Sequence, residues 1–246
     1  WVKGVLTGDL GQSMRHNRPV LELILLKRTV TLQLAVMGIV LALVFGITGG
    51  VISALRQNTP VDYATNVVSL AGISLPNFWL GIMLIMFFSV YLGWLPASGF
   101  VSPWEDLKMN LMTTIMPAFV LGTGIAGVIM RHTRGAMLQA LESDYVRTAR
   151  AKGLSEWVVV FKHAMRNALT PIITLGALEF GALLSGAVLT EQIFTIPGFG
   201  KLIVDAVFTR DYPVVQGVVL VTSLFYITLN LLADIGYILV NPRLRG

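Results

Sequence analysis

The sequence has no cysteine, so a disulfide framework, a thiol nucleophile and a cysteine-ligated metal are all excluded. Histidine is almost as scarce: His16, His132 and His163 are scattered without metal-ligand spacing and read as surface or helix-end residues. No Gly-x-x-x-x-Gly-Lys-Ser/Thr string occurs, and the glycines at 46, 49 and 50 have no lysine beside them, so the phosphate-binding loop is not a route to ATP here. No carboxylate pair or Ser–His arrangement suggests catalysis, so the chain does not read as an enzyme. The shortage that decides the compartment is charge. Only 13% of residues are charged, against about 25% in ordinary soluble domains, too few to cover a water-facing surface. With 55% hydrophobic residues and a mean hydropathy of +0.75, an all-α, polytopic membrane protein is the expectation. The net charge of +5 then calls for no nucleic acid, because Lys and Arg collect beside membrane spans on the cytoplasmic side.

What is present are long runs without charge. Residues 29–55 carry none and are long enough for a tilted span, since roughly 20 residues cross the hydrocarbon core. Gly46, Gly49 and Gly50 in that run would admit a second helix at close range. Residues 63–104 are also uncharged but too long for one helix. Pro76 and the 93–103 stretch divide them into a broken lead-in and a span over about 75–92. Further spans are expected over 113–130, stopped by Arg131-His132-Thr133-Arg134, over 171–189, and over 214–240. Met83, Met86, Met112 and Met116 are packing residues, and Trp79 is an interfacial anchor. Five spans put the termini on opposite sides. The basic loop 131–170 and the Arg243/Arg245 tail share a side, which places them in the cytoplasm and residues 1–28 outside. Pro19 starts a short helix in that outer segment. Its Arg15, Arg18, Lys27 and Arg28 oppose this orientation, a conflict that an additional upstream helix absent from this sequence would ease.

The one long polar insert, residues 142–171, organises the chain. Two amphipathic pieces flank Gly153, which can take the positive φ that ends a helix. Tyr145, Ala149 and Lys152 share a face of the first, while Trp157, Val160, Phe161 and Ala164 form an i, i+3, i+4, i+7 stripe on the second. The run Asp144-Tyr145-Val146-Arg147-Thr148-Ala149-Arg150-Ala151-Lys152-Gly153-Leu154, continued by His163, Arg166, Asn167 and Pro171, resembles the coupling loop of permease subunits in bacterial binding-protein-dependent ABC importers. It is similar to the dipeptide, oligopeptide and nickel branch. Arg147 stands where the general motif has glutamate, and Thr148 where it has the first alanine. The resemblance runs from Gly8-Asp9-Leu10-Gly11 to Asn241-Pro242-Arg243. Members usually have six spans, with a first helix before the external segment.

That resemblance implies an importer permease that moves short peptides inward by alternating access. No cofactor is implied for this chain, ATP and magnesium belonging to the partner ATPases. The implied partners are a homologous second permease, two ATPase subunits and a periplasmic or extracellular binding protein, in the lipid of the bacterial inner membrane. Tyr145, Arg147, Ala149, Lys152, Gly153, Trp157, Phe161 and His163 are the ATPase-coupling candidates. The loop 190–213, with Glu191, Phe194, Pro197 and Gly198, resembles the external signature of these permeases, an expected gate or docking site; by turn chemistry alone it is equally a folded hairpin loop. Glu179 and Asp234 sit inside expected spans, where a carboxylate must find a partner or a watered path. Glu179 lines a translocation path or pairs structurally, and Asp234 is read as a helix-packing group. Two other readings stay open: a proton-coupled secondary transporter using Glu179 and Asp234, and a structural assembly subunit. Short peptides come first as cargo, with glutathione-like peptides, nickel chelates and opines left open.

Overall fold

The computed structural model describes residues 2–240, without the side chains of residues 2, 6, 184–186, 229 and 233–240. Asp234 therefore lies outside the described side chains, and Asn241, Pro242, Arg243 and Arg245 lie outside the described residues. The elements are α1 (Val2–Leu6), α2 (Val20–Leu55), α3 (Pro60–Ser74), α4 (Asn77–Leu84, continued by a π-helical segment over Ile85–Tyr91), α5 (Leu107–Leu141), α6 (Asp144–Ala151), α7 (Glu156–Val158, continued by a π-helical segment over Val159–Ala164), α8 (Met165–Gly186), α9 (Val188–Ile193), α10 (Phe199–Phe208) and α11 (Tyr212–Val240). Helices follow from the apolar runs, because a segment in lipid must satisfy its backbone N–H and C=O groups internally.

Several expected boundaries move outward. The short helix after Pro19 and the 29–55 span are one 36-residue helix, since nothing between Val20 and Thr29 breaks helical geometry and Lys27 and Arg28 are good helix formers. Helix α5 runs on past Arg131–Arg134 to Leu141, because charge ends a span without ending a helix. The helix expected to begin at Pro171 begins at Met165 and carries Pro171 inside it. The broken lead-in is borne out: α3 ends at Ser74, Leu75 and Pro76 are extended with ψ of 125° and 129°, and α4 follows. Proline has no N–H to continue a helix and biases the residue before it towards extended backbone. By length and composition α2, α5 and residues Tyr212–Leu232 of α11 can cross a membrane, and α3 with α4 and its π segment makes a further broken candidate. The expected 171–189 span falls mainly on α8.

The chain packs into two interleaved units. In the first (residues 1–38, 76–121 and 180–229), Leu10, Val20, Leu23 and Ile24 are buried against Phe199, Ala206, Val214 and Val218. In the second (39–75, 122–179 and 230–246), α2 meets α5 across the glycines singled out in the sequence. A Cβ at Gly46 would lie 2.6 Å from Ile129 Cγ2, and one at Gly50 would lie 2.6 Å from the Met130 carbonyl oxygen, so neither site admits a side chain without separating the helices.

Candidate functional site

The candidate coupling segment lies wholly in the second unit. Helix α6 ends at Ala151, and Gly153 takes φ +75°. The Gly153 N–H donates to the Arg150 carbonyl at 2.9 Å, and the Leu154 N–H to that of Ala149 at 3.4 Å. This is a Schellman ending, which glycine adopts without Cβ strain. Across the turn the Arg150 guanidinium grips Glu156 through both carboxylate oxygens, at 2.8 and 3.3 Å. That contact holds the exposed Glu156 carboxyl below its ordinary pKa.

The faces differ from the expected ones. Val146 and Ala149 are the buried residues of α6, while Tyr145 is 41% exposed and Lys152 is open to solvent. In the second piece Val159, Val160, Ala164 and Ala168 go inward, against Val51 and Ala54 of α2 and Met137 and Ala140 of α5. Trp157 is 71% exposed and lies on Phe161, ring centroids 4.0 Å apart. The π-helical segment explains this. Its wider turn shifts the repeat, so Trp157 and Val160 do not stay on one face as an α-helical count demands. His163 is half-buried. One side of the element is thus seated in its own unit, and the other presents Tyr145, Arg147, Lys152 and Trp157. From Glu156 to Gly186 the backbone is helical without a break.

A polar joint in the same unit was missed in the sequence. Asp62, at the start of α3, is 2% exposed and receives Arg134 of α5 in a two-pronged pair, at 2.7 and 2.8 Å. Ser53, the Asn58 N–H and the Asn66 amide donate to the same carboxylate. Asp62 lies in the short connection between the charge-free runs 29–55 and 63–104, and Arg134 read as a span-stopping charge. Nothing in the sequence pairs residues 72 positions apart.

The external-loop candidates gather in the first unit. Glu191 is fully buried; its carboxylate accepts from Thr31 Oγ1 at 2.7 Å and from the Lys201 N–H at 3.1 Å. Thr31 Oγ1 in turn accepts from the Phe199 N–H at 2.9 Å. The two side chains thereby satisfy N–H groups at the start of α10 that have no partner within the helix. Burial pushes the Glu191 carboxyl up, against the Thr31 hydroxyl and the backbone N–H groups of Lys201 and Gly200. A Cβ at Gly198 would stand 2.1 Å from Glu191 Oε1, so glycine is required for the loop to close over the acid. Phe194 is buried against Gly81 of α4, and its carbonyl accepts from the Gly99 N–H. Between them Thr195 holds φ +52°, a strained conformation for a β-branched residue. Pro197 and Gly198 edge a concavity of about 450 Å³. Glu179 belongs to the second unit, half-buried, and is not part of this cluster. Among the described residues no group of three or more His, Asp or Glu is placed to share a metal ion.

The chain matches the model of a family described as binding-protein-dependent transport system inner membrane component over residues 46–246. It is 45% identical to a di/tripeptide transport system permease protein of Pseudomonas aeruginosa, covering all of this chain and 79% of that one. It is 42% identical to a glutathione transport system permease protein of Escherichia coli strain K12, over all of this chain and 78% of that protein. A dipeptide transport system permease protein of Alkalihalophilus pseudofirmus is 38% identical, again over the whole chain and 80% of the relative. Among solved structures, an inward-facing methionine ABC transporter superposes with a TM-score of 0.73 at 16% identity, covering 89% of this chain and 96% of that one. That likeness shows the fold.

Proposed function

The chain belongs to the family of binding-protein-dependent transport system inner membrane components, and from that membership we propose that it carries short peptides inward as one permease subunit of an ATP-driven importer. The proton-coupled carrier and structural-subunit readings are set aside, because relatives spanning the whole chain are permease proteins of peptide and glutathione transport systems. Short peptides are the first cargo for the same reason. ATP hydrolysis belongs to separate subunits in this family. The working assembly is this chain, a second permease, two ATPase subunits and a binding protein, in the inner membrane. Loop 131–170 faces the ATPases and loop 190–213 faces outward, with five spans in this sequence.

The observation that carries the mechanism is the unbroken helical run from Glu156 to Gly186. An ATPase that grips Tyr145, Arg147, Lys152 and Trp157 moves a helix continuous with α8, so displacement passes into the membrane without a flexible joint. Val146, Ala149, Val160 and Ala164 keep the element on its own unit while the outer face is pulled. Alternating access follows if the ATPases bind one arrangement more tightly than the other. Glu179, on the same helical run, is the path-lining candidate.

Gly153→Val tests the coupling role. A Cβ there meets nothing within 4 Å, so the cost is backbone strain alone, roughly 1–2 kcal/mol, and the element is re-aimed while the spans insert normally. ATPase co-purification and substrate-stimulated hydrolysis should fall at unchanged membrane abundance, and a Trp157→Ser, Phe161→Ser variant should repeat the loss. Normal values in both variants reject the coupling role. Cysteines placed at Lys152 and Thr195 should label from opposite faces; labelling from one face rejects the orientation.

A further inference from the structure

The basic residues of the outer segment, Arg15, Arg18, Lys27 and Arg28, oppose the orientation of the chain and do nothing in the transport reading. The structure separates them. Arg18 pairs with Glu22 at 3.5 Å. Arg15 and Lys27 instead line the concavity of about 450 Å³, together with His16, Lys201 and the carboxylates of Asp205 and Asp211. Lys201 is engaged by Asp205 at 3.3 Å, whereas among the described residues the Arg15 guanidinium and the Lys27 ammonium have no anionic partner. The floor is apolar: Leu23, Leu26, Leu202 and Val214. The cationic rim is built. Asp211 is buried and takes the Ser13 hydroxyl and the N–H groups of Met14 (3.2 Å) and Arg15 (3.3 Å), and Asn17 turns the chain back at φ +49°. From this rim Leu21, Leu25 and Leu26, 40–59% exposed, run down the first turns of α2, a helix long and apolar enough to cross the membrane.

We infer that this cleft holds the phosphate of an anionic phospholipid, with Arg15 and Lys27 on the headgroup and an acyl chain along Leu23 and Leu26. Two cations without partners call for an anion. An apolar floor that reaches the exposed leucine surface through Leu26 calls for an amphiphile rather than a free ion. The occupant would also settle the charge conflict, since an outer basic cluster neutralised by a bound lipid no longer pulls the segment inward. His16 at the rim adds a donor.

The test is native mass spectrometry of the assembly purified from membranes and exchanged into nanodiscs with equal phosphatidylglycerol and phosphatidylcholine. Retained lipid should be enriched in phosphatidylglycerol. Arg15→Gln with Lys27→Gln should cut that enrichment by about tenfold or more, each surface cation contributing on the order of 1 kcal/mol. Arg15→Lys with Lys27→Arg should keep it, and so should the control Lys3→Gln with Lys108→Gln. Equal loss in the control would assign the preference to bulk surface charge, and unchanged enrichment in the cleft variant would leave the cleft empty of lipid; either overturns the inference. Displacement of the lipid by millimolar inorganic phosphate would make this a free-anion site. Retained lipid with lost capture of an external binding protein would make it a protein interface. Both also overturn it. Lipid retention is read without transport, so it stands or falls apart from the cargo.

Discussion

Asp62 in the second unit and Glu191 in the first are buried carboxylates held by opposite means. Asp62 is met by a full counter-charge, the two-pronged Arg134, and by three further donors. Glu191 is met by neutral donors only, a hydroxyl and backbone N–H groups. The first joint fastens α3 to α5 in the unit that carries the candidate coupling segment, and its ions compensate each other wherever both stay charged. The second fastens the loop over α10 and leaves burial partly uncompensated, which is why the Glu191 carboxyl is pushed above its ordinary value. The contrast suits the roles proposed for the loops. A force-bearing element needs a joint indifferent to its surroundings, and a gate tolerates one that a proton can adjust.

The largest expected effect comes from breaking the first joint on one side. Arg134→Leu leaves Asp62 buried without its cation, and a buried pair missing one partner is strongly destabilising. The melting temperature in detergent should fall by on the order of 10 °C. Adding Asp62→Leu should recover most of the loss, and no recovery would mean Arg134 acts by some other contact. Next is Gly198→Ala, which drives a methyl into Glu191 Oε1 and strips donors from a buried acid. It should cost about 1–3 kcal/mol, read by thermal unfolding, whereas Gly99→Ala would test a positive-φ glycine with open space around its Cβ and no buried acid nearby.

A smaller effect sharpens the contrast through pH. Because the folded Glu191 pKa is raised from about 4.5, the native state binds its proton more readily than the unfolded chain. The stabilising proton is fully present below about 4.5 and is lost as pH rises through the higher folded value, so stability falls across that window. Glu191→Gln should flatten the decline, and an identical pH slope in the variant would refute the assignment. Smallest is Arg150→Gln. Glu156 is exposed, so melting should hardly move, but the Glu156 carboxyl should titrate back up towards its ordinary range by NMR. Its folded pKa is lowered by Arg150, so the little stability this clamp adds is present at neutral pH and fades as pH falls.

Much of the fold was legible because lipid leaves few options. Charge-free runs marked the long helices, and Gly46, Gly49 and Gly50 marked a close helix crossing before any partner was visible. Gly153 was read correctly from its place between two amphipathic pieces. Hidden features arose from distance or from altered period. Arg134 and Asp62 lie too far apart in sequence for any local pattern to join them. The Trp157/Val160/Phe161 stripe failed because helical counting assumes an α repeat, and the backbone widens at Val159. The gate candidates Glu191, Phe194, Pro197 and Gly198 do fall together, though Phe194 is packed inward, a placement that turn chemistry cannot supply.

The bond from Ser13 to Asp211 spans 198 positions, and this sets an order of events during synthesis. At roughly 5–20 residues per second, the segment around Ser13 is made about 10–40 s before its fastening residue exists. Helix α11, whose Gly217 seats against Val20, arrives later still. The first unit therefore stays unsealed through most of translation. A chain cut short before Asp211 lacks the carboxylate that fastens Ser13, Met14 and Arg15, so truncation there leaves the first unit open at both of its ends.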